Sequence, residues 1–67
     1  MLISTQGGTI TVSGLAAGTA VEAYSTAGTL LATATATDGS ATLATNLEAG
    51  NIAIVKMGDY RVKIAIK

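Results

Sequence analysis

Cysteine, histidine, proline, phenylalanine and tryptophan are all absent from this chain of 67 residues. Without cysteine there is no disulfide to staple a small fold, and without cysteine or histidine the usual zinc ligands are missing. The same two gaps remove any Ser-His or Cys-His nucleophile pair, so activating one of the four serines would require a lysine base. No G-x-S-x-G elbow occurs. The four carboxylates read as lying near turns and far apart, which gives no positioned acid and base pair. Catalysis is therefore not expected.

Large apolar side chains are scarce too. Six Leu, six Ile and four Val, with two Met and two Tyr, supply the core, and most of the remaining hydrophobic content is Ala. A fully buried Leu or Ile contributes about 1.5–3 kcal/mol, and an alanine methyl much less. A chain this short buries only about 60% of the surface its unfolded form exposes. The expectation is a sandwich of marginal self-sufficiency, or a piece of a longer chain. No run approaches the ~18 apolar residues of a membrane-spanning helix, so direct membrane insertion is not expected. Residues Met1 to Gln6 lack the basic n-region and apolar h-region of a signal peptide.

Net charge is zero, which gives no electrostatic reason to expect nucleic acid or an anionic membrane as partner. The distribution is uneven. Lys56, Arg61, Lys63 and Lys67 hold all the positive charge and share their segment only with Asp59, while Glu22, Asp38 and Glu48 precede them. A tail of net +3 follows a body of net −3. Such lysines serve either as gatekeepers on a solvated edge strand or as the grip for a partner.

What is present is period-two alternation punctuated by turn residues, the pattern of an antiparallel sandwich. Ile10 to Ser13 and Ala20 to Tyr24 alternate, and Ser25 to Gly28 reads as a turn. From Thr29 to Thr37, Leu30, Ala32, Ala34 and Ala36 are expected on one face, and Leu31, Thr33, Thr35 and Thr37 on the other. Threonine at every second position weakens a helix and suits a strand. Asp38-Gly39 is a two-residue hairpin signal leading into Ala41 to Thr45. Ile52 to Met57 and Tyr60 to Lys67 follow, joined by Gly58-Asp59. Tyr60, Val62, Ile64 and Ile66 alternate with Arg61, Lys63, Ala65 and Lys67. Six strands spaced by roughly ten residues predict an all-β, small immunoglobulin-like antiparallel β-sandwich of about six to seven strands. Residues 1–8 read as a lead-in and 9–67 as the single domain.

Binding signals are weak. Asp38-Gly39-Ser40 begins like a calcium loop but lacks the further ligands. Gly7-Gly8, Gly14 and Gly18 do not form a phosphate-binding pattern. Tyr24 and Tyr60 are expected to pack on sheet faces rather than to stack sugars. The reading is no catalytic, cofactor-binding or metal site, and no small-molecule substrate.

Three segments in order carry a resemblance. Val21-Glu22-Ala23-Tyr24-Ser25-Thr26-Ala27-Gly28-Thr29-Leu30-Leu31 comes first, then Leu47-Glu48-Ala49-Gly50, then Ile54 to Asp59 with Val62 to Lys67. Over about Thr9 to Lys67 the chain resembles the C-terminal sorting domain of proteins exported by the type IX secretion system of Bacteroidetes. Where that family commonly has Ala-Gly-x-Tyr, Asn51-Ile52-Ala53 stands here without an aromatic. Ser25-Thr26 replaces the usual Asp or Asn, and the early Asn-Pro strand is missing, which implies a start partway into the domain. The resemblance implies a folded address read by an outer-membrane translocon and its shuttle, then removed by a surface sortase. It implies passage through the periplasm to the cell surface or medium. By resemblance, partner recognition falls to Gly58, Asp59, Val62, Lys63, Ile64, Ile66 and Lys67, and Tyr24, Gly28, Leu47 and Gly50 are motif positions. Two other expectations share the fold: an adhesion or spacer module of a surface protein, and a self-assembling β element pairing through exposed edges.

Overall fold

The computed structural model describes residues 2–67. Seven strands form: β1 (Leu2–Gln6), β2 (Thr9–Ser13), β3 (Ala20–Ser25), β4 (Leu30–Thr35), β5 (Ser40–Ala44), β6 (Ile52–Met57) and β7 (Tyr60–Ala65). All pairings are antiparallel. One sheet has the order β1-β2-β5 and the other β4-β3-β6-β7. In immunoglobulin lettering these are A-B-E and C′-C-F-G. The chain is a small immunoglobulin-like antiparallel β-sandwich.

Alternation decides which side chains face inward. Ile10, Val12, Ala41 and Leu43 project from the first sheet; Val21, Ala23, Ala53, Val55 and Met57 project from the second. Register stacks them in rows, with Ile10 beside Leu43, Val12 beside Ala41 and Ile3, and Val55 beside Ala23 and Val62. The molecule measures 29 × 21 × 15 Å, which leaves room for one interior layer between sheets about 10 Å apart.

Turn chemistry matches the local sequence closely. Gly7 and Gly8 both have positive φ (59° and 82°), as a type I′ turn between β1 and β2 requires. Gly58 (φ 59°) alone is positive in the β6–β7 turn, which makes that turn II′-like. Asp38 (φ 53°) and Gly39 (φ 84°) form the expected two-residue turn, closed by Thr37 and Ser40 exchanging backbone bonds of 2.8 and 3.1 Å.

Three expectations need correction. The Asp38-Gly39 turn does not open a paired hairpin: beyond the Thr37–Ser40 bridge, β4 pairs with β3 and β5 with β2. The small side chains of Ala32, Ala34 and Ala36 let β4 lie close to β5 as the chain changes sheet. Leu30 does not share a face with Ala32. A bulge between Ala23 and Tyr24 sets Ala32 against Ala23 but Leu30 against Tyr24, so Leu30 lies on the outer face, 48% exposed. Glu22 is not near a turn; it sits within β3, opposite Thr33 and Lys56. In addition, Leu2–Gln6, within the segment read as a lead-in, forms β1, with Ile3 packed against the core. Its alternation is short and half polar, a weak signal until β2 supplies a partner.

The β5–β6 connection carries the Leu47 to Gly50 motif and is tied to the β1–β2 turn. Thr45, buried, donates its hydroxyl to the Gly8 carbonyl (2.6 Å) and accepts the Leu47 N–H (3.2 Å). Contact is so close that a Cβ on Gly8 would stand 2.7 Å from the Leu47 carbonyl oxygen. Gly50, with φ 96°, donates its N–H to the Ile66 carbonyl at 2.9 Å. The connection therefore ties the β1–β2 turn to the C-terminal end of β7, at one end of the sandwich.

Candidate functional site

β7 is one edge of the second sheet, and the residues expected to recognise a partner fall on it or directly beside it, in two groups. Ile66 is core, 2% exposed, and Val62 and Ile64 are half-buried against that core. Their side chains hold the strand in place. Gly58, Asp59, Lys63 and Lys67 are exposed. Arg61, absent from the expected set, joins them.

Backbone direction along β7 follows from its last residues. The Ile66 N–H donates to the Asn51 carbonyl (2.8 Å) and the Ile66 carbonyl accepts from Gly50, so this residue faces β6. In an antiparallel strand that direction alternates, so Val62 and Ile64 also face β6. Arg61, Lys63 and Ala65 therefore aim their N–H and C=O groups away from the sheet. Lys67 continues the pattern: its N–H donates to the Thr5 hydroxyl (3.0 Å), and its carbonyl accepts the Gly7 N–H (3.2 Å).

Those last two bonds place β1 beside β7 in parallel, touching only at their C-terminal ends. Gly7 faces this seam, so by the same alternation Ile3 and Thr5 do too. Above the contact the edges stay apart. A groove of about 370 Å³ lies between them, lined by Ile3, Ser4, Thr5, Ile64, Ala65 and Lys67. Leu2 and Tyr60, which start the two strands at the open end, are 76% and 67% exposed. Tyr60 thus keeps the expected parity with Val62 without being packed.

The outer face of the second sheet adjoins this edge. Cross-strand register gives one row of Thr33, Glu22, Lys56 and Arg61, and another of Leu30, Tyr24, Ile54 and Lys63. Lys56 and Arg61 stand directly opposite as like charges, an arrangement that disfavours the pairing and leaves positive potential at the edge. A shallow depression of about 300 Å³ is lined by Tyr24, Ser25, Thr26, Gly28, Ile54, Lys56 and Arg61. Gly28 (φ 89°) turns the chain there, with Ser25 accepting the Gly28 N–H at 3.0 Å. The Tyr24 phenol is held above its ordinary pKa, first by desolvation and then by hydrogen bonding to, and the charge of, Glu22.

Sequence reasoning missed Arg61, Ile3 and Thr5 as parts of one edge. The alternation of β7 and its II′-like turn carry the signal for Arg61. Nothing local brings β1 alongside. Among the described residues no group of three or more acidic, His or Cys side chains gathers, and no helix is long and apolar enough to cross a membrane.

Set against known proteins, the chain is matched by no family model, no curated protein and no solved structure.

Proposed function

We propose that the chain is a secretion and sorting domain, a non-catalytic folded address recognised through its terminal strand by the type IX outer-membrane translocon and shuttle. Removal by a surface sortase follows, with the periplasm as the transit compartment and the cell surface or medium as destination. The partners are proteins; nucleic acid, a small-molecule substrate and direct insertion into the membrane have no place in this function. The observation that carries the reading is β7 as an open sheet edge, cationic at Arg61, Lys63 and Lys67, on a domain whose remaining features serve packing. Strand addition uses such an edge: main-chain bonds supply affinity, and side chains along it supply specificity.

Motif order supports the same reading. Tyr24 and Gly28 shape the outer face beside the edge. Leu47 and Gly50 lie on the connection that bonds to Ile66 and Gly8. The test is a fusion of residues 1–67 behind a periplasm-targeted fluorescent reporter, in a type IX-competent strain and a translocon-deficient mutant. Surface or medium fluorescence in the competent strain alone is expected. Deleting Val62 to Lys67, or replacing Arg61, Lys63 and Lys67 by Gln, is expected to retain the reporter in the periplasm. The substituted chain separates lost recognition from lost folding. Retention of the unaltered, folded fusion in both strains would return the domain to a spacer or adhesion module.

A further inference from the structure

We infer that the β7 edge and the groove beside β1 form a receptacle for one extended segment of a partner protein, in which acidic residues alternate with apolar ones. Three features of the edge define that pattern. Arg61, Lys63 and Ala65 present unpaired N–H and C=O groups outward, so an added strand finds a ladder already oriented. The side chains of Arg61 and Lys63 lie on the outer face, two residues apart. Residues of the added strand opposite them share that face, and opposite-charge cross-strand pairs stabilise while like pairs do not. The partner therefore carries Asp or Glu at positions two apart.

Residues between those acids point to the other face, over the groove. Its walls there are Ile3 on one side and Ile64 on the other, both half-buried. Aliphatic side chains at that point extend the core against which Ile3 and Ile64 pack. The seam is closed below by the Lys67 contacts with Thr5 and Gly7, which limits the segment to about the 6 residues of β7 above that closure.

Charge also selects against the other occupant of an open edge, a second copy of this chain. Two β7 edges paired symmetrically would set Arg61 and Lys63 against each other across the new seam. The cations thus block self-pairing and admit an acidic strand by the same electrostatics. Asp59, in the turn ahead of β7, is the only acid of the terminal segment and lies beyond the paired residues.

This inference deepens the sorting reading, and rests on it only in taking the terminal strand as the recognised element. The test titrates the 67-residue chain against a labelled synthetic peptide of sequence Thr-Glu-Val-Glu-Ile-Glu-Thr. Controls are a peptide of the same composition with the alternation scrambled, and one with Lys for Glu. Anisotropy is expected to show at least tenfold tighter binding of the alternating acidic peptide than of either control. Amide exchange at Arg61, Lys63 and Ala65 is expected to slow at least tenfold on saturation, with β4 amides unchanged. R61Q/K63Q is expected to lose at least tenfold in affinity while keeping its unfolding midpoint. Equal binding of the lysine peptide, protection at β4 instead of β7, or no binding by the unaltered chain overturns the inference. Lost capture with reporter export intact overturns this inference alone; capture with no export of the unaltered fusion supports it and removes the sorting reading.

Discussion

The two sheets share one backbone logic and present opposite outer surfaces. The outer face of β1-β2-β5 is built from Leu2, Ser4, Gln6, Thr9, Thr11, Ser13, Ser40, Thr42 and Ala44, without a single charge. The outer face of β4-β3-β6-β7 gathers Tyr24, Ile54 and Leu30 with Glu22, Lys56, Arg61 and Lys63. Their inner faces differ in the reverse sense. The first sheet gives the core Ile10, Val12 and Leu43 with Ile3 and a single alanine, Ala41; the second gives Val21, Val55, Met57, Val62 and Ile64 but also four alanines, Ala23, Ala32, Ala34 and Ala53. One sheet supplies much of the packing and stays bland outside. The other packs with smaller side chains and concentrates the chemistry at its β7 edge.

If that division of labour holds, stability and recognition should come apart under mutation. The largest expected effect is in the first sheet's core. Leu43→Ala removes one of the largest fully buried side chains and should cost about 2–5 kcal/mol, while Ala34→Gly on β4 should cost no more than about 1 kcal/mol. Urea unfolding of the two variants measures the difference, and equal losses would erase the distinction between the inner faces.

Next come the paired glycines of the β1–β2 turn. Both have positive φ, where an L-residue costs roughly 1–2 kcal/mol, but only Gly8 also meets the Leu47 carbonyl. Gly8→Ala should therefore destabilise by about 1 kcal/mol more than Gly7→Ala. Thermal midpoints in the same buffer decide this. Similar midpoints would mean that the β5–β6 connection gives way without cost.

Smaller still in stability is exchanging outer-face residues. R61Q/K63Q and T9Q/T11Q should each fall within about 0.5 kcal/mol of the parent. Only the first should lower reporter export. Loss of export in T9Q/T11Q would move recognition to the uncharged face.

The slightest effect concerns Tyr24. Its raised pKa means that the folded chain holds the phenolic proton more tightly than the unfolded one. This contribution to stability is fully present below the ordinary tyrosine pKa near 10 and fades as pH climbs through the folded value. In a Tyr60→Phe background, Glu22→Gln should shift the tyrosinate absorbance titration to lower pH. An unmoved titration would remove Glu22 from the cause.

Much of this architecture is legible along the chain because turns and alternation are local. Asp38-Gly39 and Gly58-Asp59 announce their turns, since few residues tolerate positive φ, whereas Gly7-Gly8 becomes a turn only once β1 pairs with β2. Inward and outward positions on β2, β3, β5, β6 and β7 follow from side chains pointing to opposite faces in succession. Leu30 escaped that rule because a bulge is a property of a strand pair, and β1 escaped because its pattern is too short without β2. In the candidate site, the cations of β7 were visible as a charged, alternating tail. The groove was not, because Ile3 and Ile64 are 61 residues apart.

The sequence by itself determined an all-β chain, its turns, most of its core face and the segregation of positive charge, because each depends on near neighbours or on counting. Tertiary structure alone decided that β4 leaves β5 to join β3, that Lys67 reaches Thr5, and that β1 and β7 flank one open seam. Those outcomes depend on which distant surfaces bury each other best, and no local preference encodes that choice.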